Sequence, residues 1–250
     1  MRAWFPVALA ASLALALAFL TVPVVAIFVD RPPGEVLASL GEEGALDALW
    51  LSLRTTAVAL AIIVLIGTPA AYLLATRRFP GRAVAITLVE LPLVLPPAVA
   101  GIALLAAIGG SLTFHTSAVV VALTFVSAPF YLRQGQAAFA AVDPSWLEAS
   151  RTLGASEART FARVAIPTAV PGLVAGGALA FGRALGEFGA TLMFAGSLQG
   201  VTQTAPLAIY ERFSSDFDAA LALSAVLVAV SAAILLTAKL VGGWDAADRR

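Results

Sequence analysis

The chain has 250 residues, of which 60% are hydrophobic and 12% are charged, and its mean hydropathy is +0.96. Soluble domains carry about 25% charged residues, so this composition excludes an ordinary water-soluble protein. The absence of cysteine excludes disulfides, thiolate metal sites and cysteine nucleophiles, and one histidine, His115, leaves little for a histidine-based metal site. The 15 basic and 15 acidic residues cancel, so their placement is more informative than their sum.

Six apolar runs are each long enough for a membrane-spanning helix, which needs about 20 residues. They predict one transmembrane domain over residues 1–250, with spans near 7–29, 50–76, 84–108, 116–138, 169–195 and 219–242. The first run follows Arg2, as the apolar part of a signal peptide would. It exceeds the usual length of about 7–15 residues, so we expect it to be kept as a span. The sequence predicts an all-α integral membrane protein of about six transmembrane helices.

Basic residues predict the orientation, because positive charges accumulate on cytoplasmic loops. The turn after the second span and the connection after the fourth share one side and hold Arg77, Arg78, Arg82, Arg151, Arg159 and Arg163. Both termini fall on that side, with Arg2, Lys239, Arg249 and Arg250. We therefore expect both termini in the cytoplasm. The outer face has eight carboxylates in the first and fifth connections, which fits either a basic partner or a plain solvated surface.

Proline and glycine interrupt the third and fifth spans. Pro92, Pro96 and Pro97 lie in the third, and a series of glycines that includes Gly186 and Gly189 lies in the fifth. Proline leaves carbonyl groups without partners and bends a helix. A membrane tolerates such backbone where it is buried in protein or lines a cavity. We interpret these two spans as walls of a translocation pathway, whereas a single glycine or proline more often serves packing.

Charged residues also fall inside the predicted spans. Arg183 and Glu187 are four residues apart and share one helical face, and Glu90 lies in the third span. A charge inside a membrane normally faces the bundle or a cavity and has a partner. One interpretation is an ion pair of Arg183 with Glu187 or with Glu90 that joins spans; the other is that Arg183 faces a passing dianion. The candidate pathway or gate residues are Glu90, Pro96, Pro97, Arg183, Glu187 and Thr191.

The connection at 139–168 predicts a short helix below the membrane. Asp143 can cap a helix that begins at Pro144, and Gly154 is a natural end for it. One face of this helix carries Trp146, Ala149, Ser150 and Leu153. A second helix is expected from about Ser156 to Pro167, where the fifth span would begin. Periodicity alone allows either docking into a groove on a soluble partner or an interfacial position on lipid.

The same connection resembles a known motif. Glu148-Ala149-Ser150, then Gly154, then Val164-Ala165-Ile166-Pro167 is similar to the EAA loop of ABC-importer permeases, with mild departures at Ser150, Val164 and Ile166. The resemblance implies a type I ABC importer permease fold and a coupling segment that docks on a separate ATPase. The implied ATPase-coupling residues are Trp146, Glu148, Ala149, Ser150, Leu153, Gly154 and Pro167.

A second resemblance concerns the substrate. The run from Ala180 to Gly196 is similar to the fifth span of oxyanion permeases, and residues 91–97 and 202–210 are similar to their molybdate/tungstate branch. Sulfate/thiosulfate permeases share the part from Arg183 to Gly189. The resemblance implies import of molybdate or tungstate, with sulfate as the alternative. It also implies a homodimer in a bacterial or archaeal inner membrane, two ATPase subunits that hold ATP and Mg, and a periplasmic binding protein. No nucleic acid, metal or cofactor is expected on this chain.

Two other classes of protein are less consistent with the sequence. A secondary transporter usually shows internal repeats and ion-binding residues at the membrane midplane, and the sequence has no convincing repeat. A membrane-embedded enzyme would need a nucleophile, a metal cluster or an acid–base set within the spans, and little is available for one. The chain has no GxxxxGK[ST] motif, so we expect ATP to be hydrolysed on another subunit.

Overall fold

The computed structural model describes residues 4–29, 34, 41 and 44–241, and the regular elements in this part of the chain are helical. They are α1 (Trp4–Val29), α2 (Ala45–Thr76), α3 (Arg82–Val94), α4 (Pro97–Ile108), α5 (Thr116–Ala140), α6 (Pro144–Thr152), α7 (Glu157–Thr160), a π-helical turn (Phe161–Ala165), α8 (Ile166–Leu185), α9 (Gly189–Ala195), α10 (Ala205–Ser215) and α11 (Phe217–Val241). Arg2, Arg249, Arg250, the Lys239 side chain, residue 242 and most of the acidic first connection lie outside the described part.

Five described helical segments are long and apolar enough to cross a membrane, namely α1, α2, α5, the stretch from α7 through α8, and α11. The pair α3 and α4 passes the same test together, although the two helices are bent by 117°. Counting that pair as one broken span gives six crossings. The predicted all-α membrane protein of about six helices is therefore confirmed.

The third predicted span, 84–108, is not one continuous helix. It divides into α3 and α4 at Leu95 and Pro96, with the 117° bend between them. Pro96 and Pro97 have no N–H to continue the helix, and the residue before a proline is driven out of the helical region. Leu95 accordingly adopts an extended conformation with φ −71° and ψ 132°. At the predicted interruption the helix axis therefore changes direction sharply.

The fifth predicted span, 169–195, has different boundaries in the structure. Its helix begins at Glu157, passes through the π-helical turn and ends at Leu185, whereas Gly189–Ala195 forms the separate helix α9. The prediction of a separate cytoplasmic helix from Ser156 to Pro167 is therefore wrong, because the helix that begins in this segment continues into the span. Pro167 does not stop the helix, since it lies in the first turn of α8, where proline is tolerated.

The centre of the bundle is α5, which packs most extensively against α2 and α8. Small residues allow this close packing: a methyl group added at Gly172 on α8 would lie 2.4 Å from the Cβ of Ala138 on α5. Helix α1 has no buried residue and contacts α11. Its apolar side chains suit contact with lipid.

An unpredicted helix, α10, lies within the fifth connection. It packs against α2 and α11, and its Leu207 and Ala208 are buried. The backbone N–H of Ala205 donates to the Ser52 hydroxyl of α2 at 2.7 Å. These contacts attach the fifth connection to the N-terminal part of α2.

Candidate coupling segment and translocation pathway

The ends of α6 are determined by local chemistry, as the sequence predicted. The Asp143 carboxylate accepts a hydrogen bond from the backbone N–H of Ser145 at 2.9 Å, and Pro144 occupies the first turn. Hydrogen bonds from the backbone and the side chain of Ser145 hold the pKa of Asp143 below its ordinary value. Beyond the other end, Gly154 has a φ of +84°, a left-handed conformation that glycine adopts at low cost.

The predicted face of α6 is mostly exposed. Leu153 is 88% exposed, Trp146 is 55% exposed, and Ala149 is also exposed. The buried contact comes from Leu147, which the sequence did not single out and which belongs to the same buried apolar cluster as Phe139 of α5. The exposed apolar face of α6 is therefore available to a partner, whereas the buried Leu147 holds the helix against the bundle.

The remaining residues of the predicted coupling set differ in their environments. Glu148, Gly154 and Pro167 are exposed, and Ser150 is half-buried. The Ser150 hydroxyl lies 3.0 Å from that of Thr160, which is fully buried. The EAA motif has alanine where this chain has Ser150. Because alanine has no hydroxyl group, this hydrogen bond is a feature of the present sequence and not of the motif.

The two broken spans meet at their breaks. A methyl group added at Gly101 on α4 would lie 2.6 Å from the carbonyl oxygen of Ala190 on α9. One added at Gly189 would lie 3.0 Å from the Cβ of Pro97. Only residues without side chains permit this approach. The structure thus brings Pro97 and the start of α9 together, and the pathway role of these two spans stays a prediction.

Glu187 and Arg183 form an ion pair at the break of the fifth span. The Glu187 side chain is 1% exposed and that of Arg183 is 27% exposed. The second function of Glu187 is to cap α9, because its Oε1 accepts from the backbone N–H of Ala190 at 2.7 Å. Of the two partners considered for Arg183, the structure selects Glu187.

Glu90 pairs instead with Arg133 of α5, a residue that the sequence analysis missed. The side chains are 36% and 53% exposed, respectively. Glu90 lies eight residues from the start of α3 and Arg133 seven from the end of α5, so each is about 10–12 Å along its helix from the predicted cytoplasmic side. The signal was available, since a lone arginine inside an apolar run needs a partner.

Thr191 and Pro96 complete the predicted pathway set, and their environments differ. Thr191 on α9 is fully buried, and its hydroxyl has no hydrogen-bond partner among the described residues. Pro96 is exposed at the break between α3 and α4. The described residues include no group of three or more His, Asp or Glu side chains placed to hold a metal ion.

A cavity of about 640 Å³ lies between α9 and α10. Its walls include Leu192, Ser197, Tyr210 and Glu211, and Tyr210 packs against Phe188 at the break with ring centroids 4.8 Å apart. Small-ligand sites occupy about 300–1,000 Å³, so the size suits a ligand. The carboxylate of Glu211 makes the cavity unfavourable for holding a free anion.

The family follows from comparison with known proteins. A family model described as the binding-protein-dependent transport system inner membrane component matches residues 63–244. The chain belongs to this family. Among its relatives, the molybdenum transport system permease protein ModB of Mycobacterium tuberculosis is 43% identical over 233 residues, covering 87% of this chain and 88% of the relative. The molybdate/tungstate permease WtpB of Thermococcus kodakarensis is 33% identical, covering 88% and 89%.

The permease also resembles a sulfate transporter component and solved transporter structures. The sulfate transport system permease protein CysT of Escherichia coli is 37% identical over 181 residues, covering 67% of this chain and 65% of the relative. A bacterial alginate ABC importer superposes with a TM-score of 0.76 at 16% identity, covering 96% of this chain and 95% of that one. The MetNI methionine ABC transporter gives 0.65 at 21%, covering 79% and 94%. The expected type I importer permease fold is confirmed.

Proposed function

We propose that this permease is the membrane subunit of an ATP-driven importer of molybdate or tungstate, and that two copies form the pathway. The observation that carries the substrate is the 43% identity to a molybdenum permease over 87% of the chain. The sulfate permease is less similar in extent, with 67% of the chain covered. Sulfate is therefore the second candidate.

The proposed ATPase-docking surface is the exposed part of α6 and the residues that follow it. It includes Trp146, Leu153 and Gly154, with Glu148 and Ala149 beside them. An apolar helix face fits the groove of a soluble partner, and Trp146 and Leu153 are 55% and 88% exposed. Two ATPase subunits would hold ATP and Mg, and a periplasmic binding protein would deliver the anion at the opposite face. In this orientation both termini lie in the cytoplasm.

The proposed pathway presents little net fixed charge to a passing dianion. Each of the two ion pairs, Arg183–Glu187 and Arg133–Glu90, contains one cation and one anion, so neither adds net charge to the spans. A strongly cationic site would retain a dianion, whereas an importer must release it. Substrate selection would then reside mainly in the binding protein.

Reconstitution into liposomes tests the proposal. The permease is combined with its ATPase and binding protein, and ATP-dependent accumulation of labelled molybdate, tungstate and sulfate is measured separately. We expect molybdate or tungstate to accumulate fastest. Faster accumulation of sulfate would establish the sulfate alternative, and accumulation of none of the three would contradict the proposed substrate class.

A matched pair of glycine variants tests the docking surface. Gly154→Val and Gly200→Val both place a branched residue at a left-handed position, with φ of +84° and +73° and no neighbouring atom within 4 Å. The backbone cost is the same in kind, about 1–2 kcal/mol. We expect only Gly154→Val to lose ATPase copurification and uptake, because Gly200 belongs to the outer connection. Equal behaviour of the two variants would contradict docking at α6.

A further inference from the structure

An ionic cluster centred on Glu157 lies beside the proposed docking surface. Arg151, in the last turn of α6, places its Nε 2.9 Å from Oε1 of Glu157 and its Nη2 3.2 Å from Oε2. Arg77, the residue directly after α2, places its Nη2 3.0 Å from the same Oε2. Both carboxylate oxygens of Glu157 are thus engaged by guanidinium groups from two other elements.

The cluster connects elements that the chain itself does not connect. The backbone joins α6 only to α5 on one side and to α7 on the other. The inner end of α2 reaches this region through packing, where Tyr72 contacts Phe161 with ring centroids 4.7 Å apart. Glu157 adds a direct ionic link from the end of α2 to the end of α6.

Geometry makes this cluster stronger than a single surface ion pair. Isolated exposed pairs contribute little, but a bidentate arginine–carboxylate contact or a network of charges contributes more. The side chains of Arg151, Arg77 and Glu157 are 38%, 54% and 54% exposed, so salt still reaches them. The link is therefore moderate in strength and sensitive to ionic strength.

Helix α2 extends from this cluster to the outer face. It is a helix of 32 residues, and near its other end the Ser52 hydroxyl accepts a hydrogen bond from the backbone N–H of Ala205 at 2.7 Å. Ala205 begins α10, which borders the outer cavity. A displacement of α6 that is passed to α2 therefore has a contiguous physical route to the outer connection.

We propose that Glu157 is a positioning residue that ties α6 to α2, so that movement of the docked ATPase is transmitted to α2 as well as to α8. This role rests on the proposed function, because it requires an ATPase docked at α6. Removing the tie leaves α6 folded and docked, since Leu147 and Ser150 still hold it. ATP is then hydrolysed with less movement of α2, and more ATP is used per anion imported.

The test measures ATP hydrolysed per anion accumulated in liposomes that contain the complete transporter. We expect Glu157→Gln and Arg77→Gln each to raise this ratio roughly two- to fivefold, and the double variant to do no more than either alone, because all three variants break the same link. High salt should raise the ratio of the wild type toward that of the variants. The matched control is Arg159→Gln, since Arg159 is exposed on the same short helix and has no ion pair among the described residues. An unchanged ratio in Glu157→Gln, or an equal rise in Arg159→Gln, would overturn the proposal.

A covalent cross-link in place of the Arg77–Glu157 ion pair distinguishes a link within the permease from a direct contact of Glu157 with the ATPase. The chain has no cysteine, so Arg77→Cys/Glu157→Cys can be bridged by a short bis-maleimide before the ATPase is added. We expect the bridged protein to recover the wild-type ratio and the unbridged one to resemble Glu157→Gln. A bridged protein no better than the unbridged one would show that Glu157 does not act through α2. Wild-type liposomes that import no oxyanion would instead refute the proposed function itself, and with it the reaction that the tie serves.

Discussion

The two ion pairs inside the spans have similar chemistry but differ in how far they are exposed. Glu187 is 1% exposed, pairs with Arg183 and caps α9. Glu90 is 36% exposed and pairs with Arg133, which is 53% exposed. A buried charge that loses its partner is costly, whereas a half-exposed one retains solvent. We therefore predict that the Arg183–Glu187 pair supports the fold, and that the Arg133–Glu90 pair affects anion uptake more than it affects folding.

The largest effect is expected for the buried pair. Glu187→Gln keeps an acceptor for the Ala190 N–H but leaves Arg183 without its counter-charge, and Arg183→Gln strands Glu187. Each change should destabilise the protein by about 3–5 kcal/mol, seen as a lower folded amount in membranes by fluorescence-detected size exclusion. The double variant should recover much of this loss, because neither charge remains.

Glu187→Ala sharpens this measurement, because it removes the hydrogen bond to Ala190 as well as the charge. It should destabilise the protein more than Glu187→Gln does. Additive losses in Arg183→Gln/Glu187→Gln, with no recovery, would show that these residues are not each other's main partner. The Arg183–Glu187 pair would then no longer differ from the Arg133–Glu90 pair in supporting the fold.

A smaller effect on folding is expected for the half-exposed pair. Glu90→Gln and Arg133→Gln should each change stability by no more than about 1 kcal/mol, so the folded amount stays near that of the wild type. Uptake should respond to the sign of the charge that remains. An unpaired Glu90 repels a dianion, so Arg133→Gln should lower uptake at limiting substrate, and Arg133→Gln/Glu90→Gln should restore part of it. A loss of folded protein as large as that of Glu187→Gln would remove the distinction between the pairs.

The smallest effect is expected for a charge in solvent, Asp143, which lies outside the spans. Its pKa is lowered in the folded protein, so its contribution to α6 is present above the unfolded value of about 3.9. The contribution is lost as the pH falls through the lower folded value. Hydrogen exchange of residues 144–152, corrected for intrinsic rates, should be steady from about pH 6 to pH 4 and rise below that.

Asp143→Asn is the control for this pH dependence, because asparagine also caps helices but does not titrate in this range. The variant should show the same protection of residues 144–152 near neutral pH, without the rise in acid. An identical acid response in Asp143→Asn would assign that response to another group.

The sequence was informative wherever a feature depends on neighbouring residues. The six apolar runs, the cap at Asp143, the left-handed Gly154 and the i, i+4 pair of Arg183 with Glu187 are local patterns, and the structure contains each of them. The interruption at Pro96 was visible for the same reason. Its 117° bend was not, because the direction of a broken helix depends on what packs beside it.

Features that need two distant segments were missed. Arg133 and Glu90 are 43 residues apart, and no periodicity relates residues on different helices. The cluster of Arg77, Arg151 and Glu157 joins three elements in the same way. Helix α10 was missed because its apolar face is too short to resemble a span, and its stability comes from packing on α2 and α11.

The π-helical turn sets the rotational phase of the segment that joins α6 to the membrane. Thr160, Ala165, Ala169 and Leu173 are buried, so the spacing is five across the turn and four beyond it. An uninterrupted α-helix repeats every 3.6 residues, and the wider spacing accommodates one additional residue in the turn. Deleting one residue between Phe161 and Ala165 would rotate the short helix α7, including Thr160, by about 100° relative to α8. Thr160 would then turn away from Ser150 although every contacting residue remained in the chain.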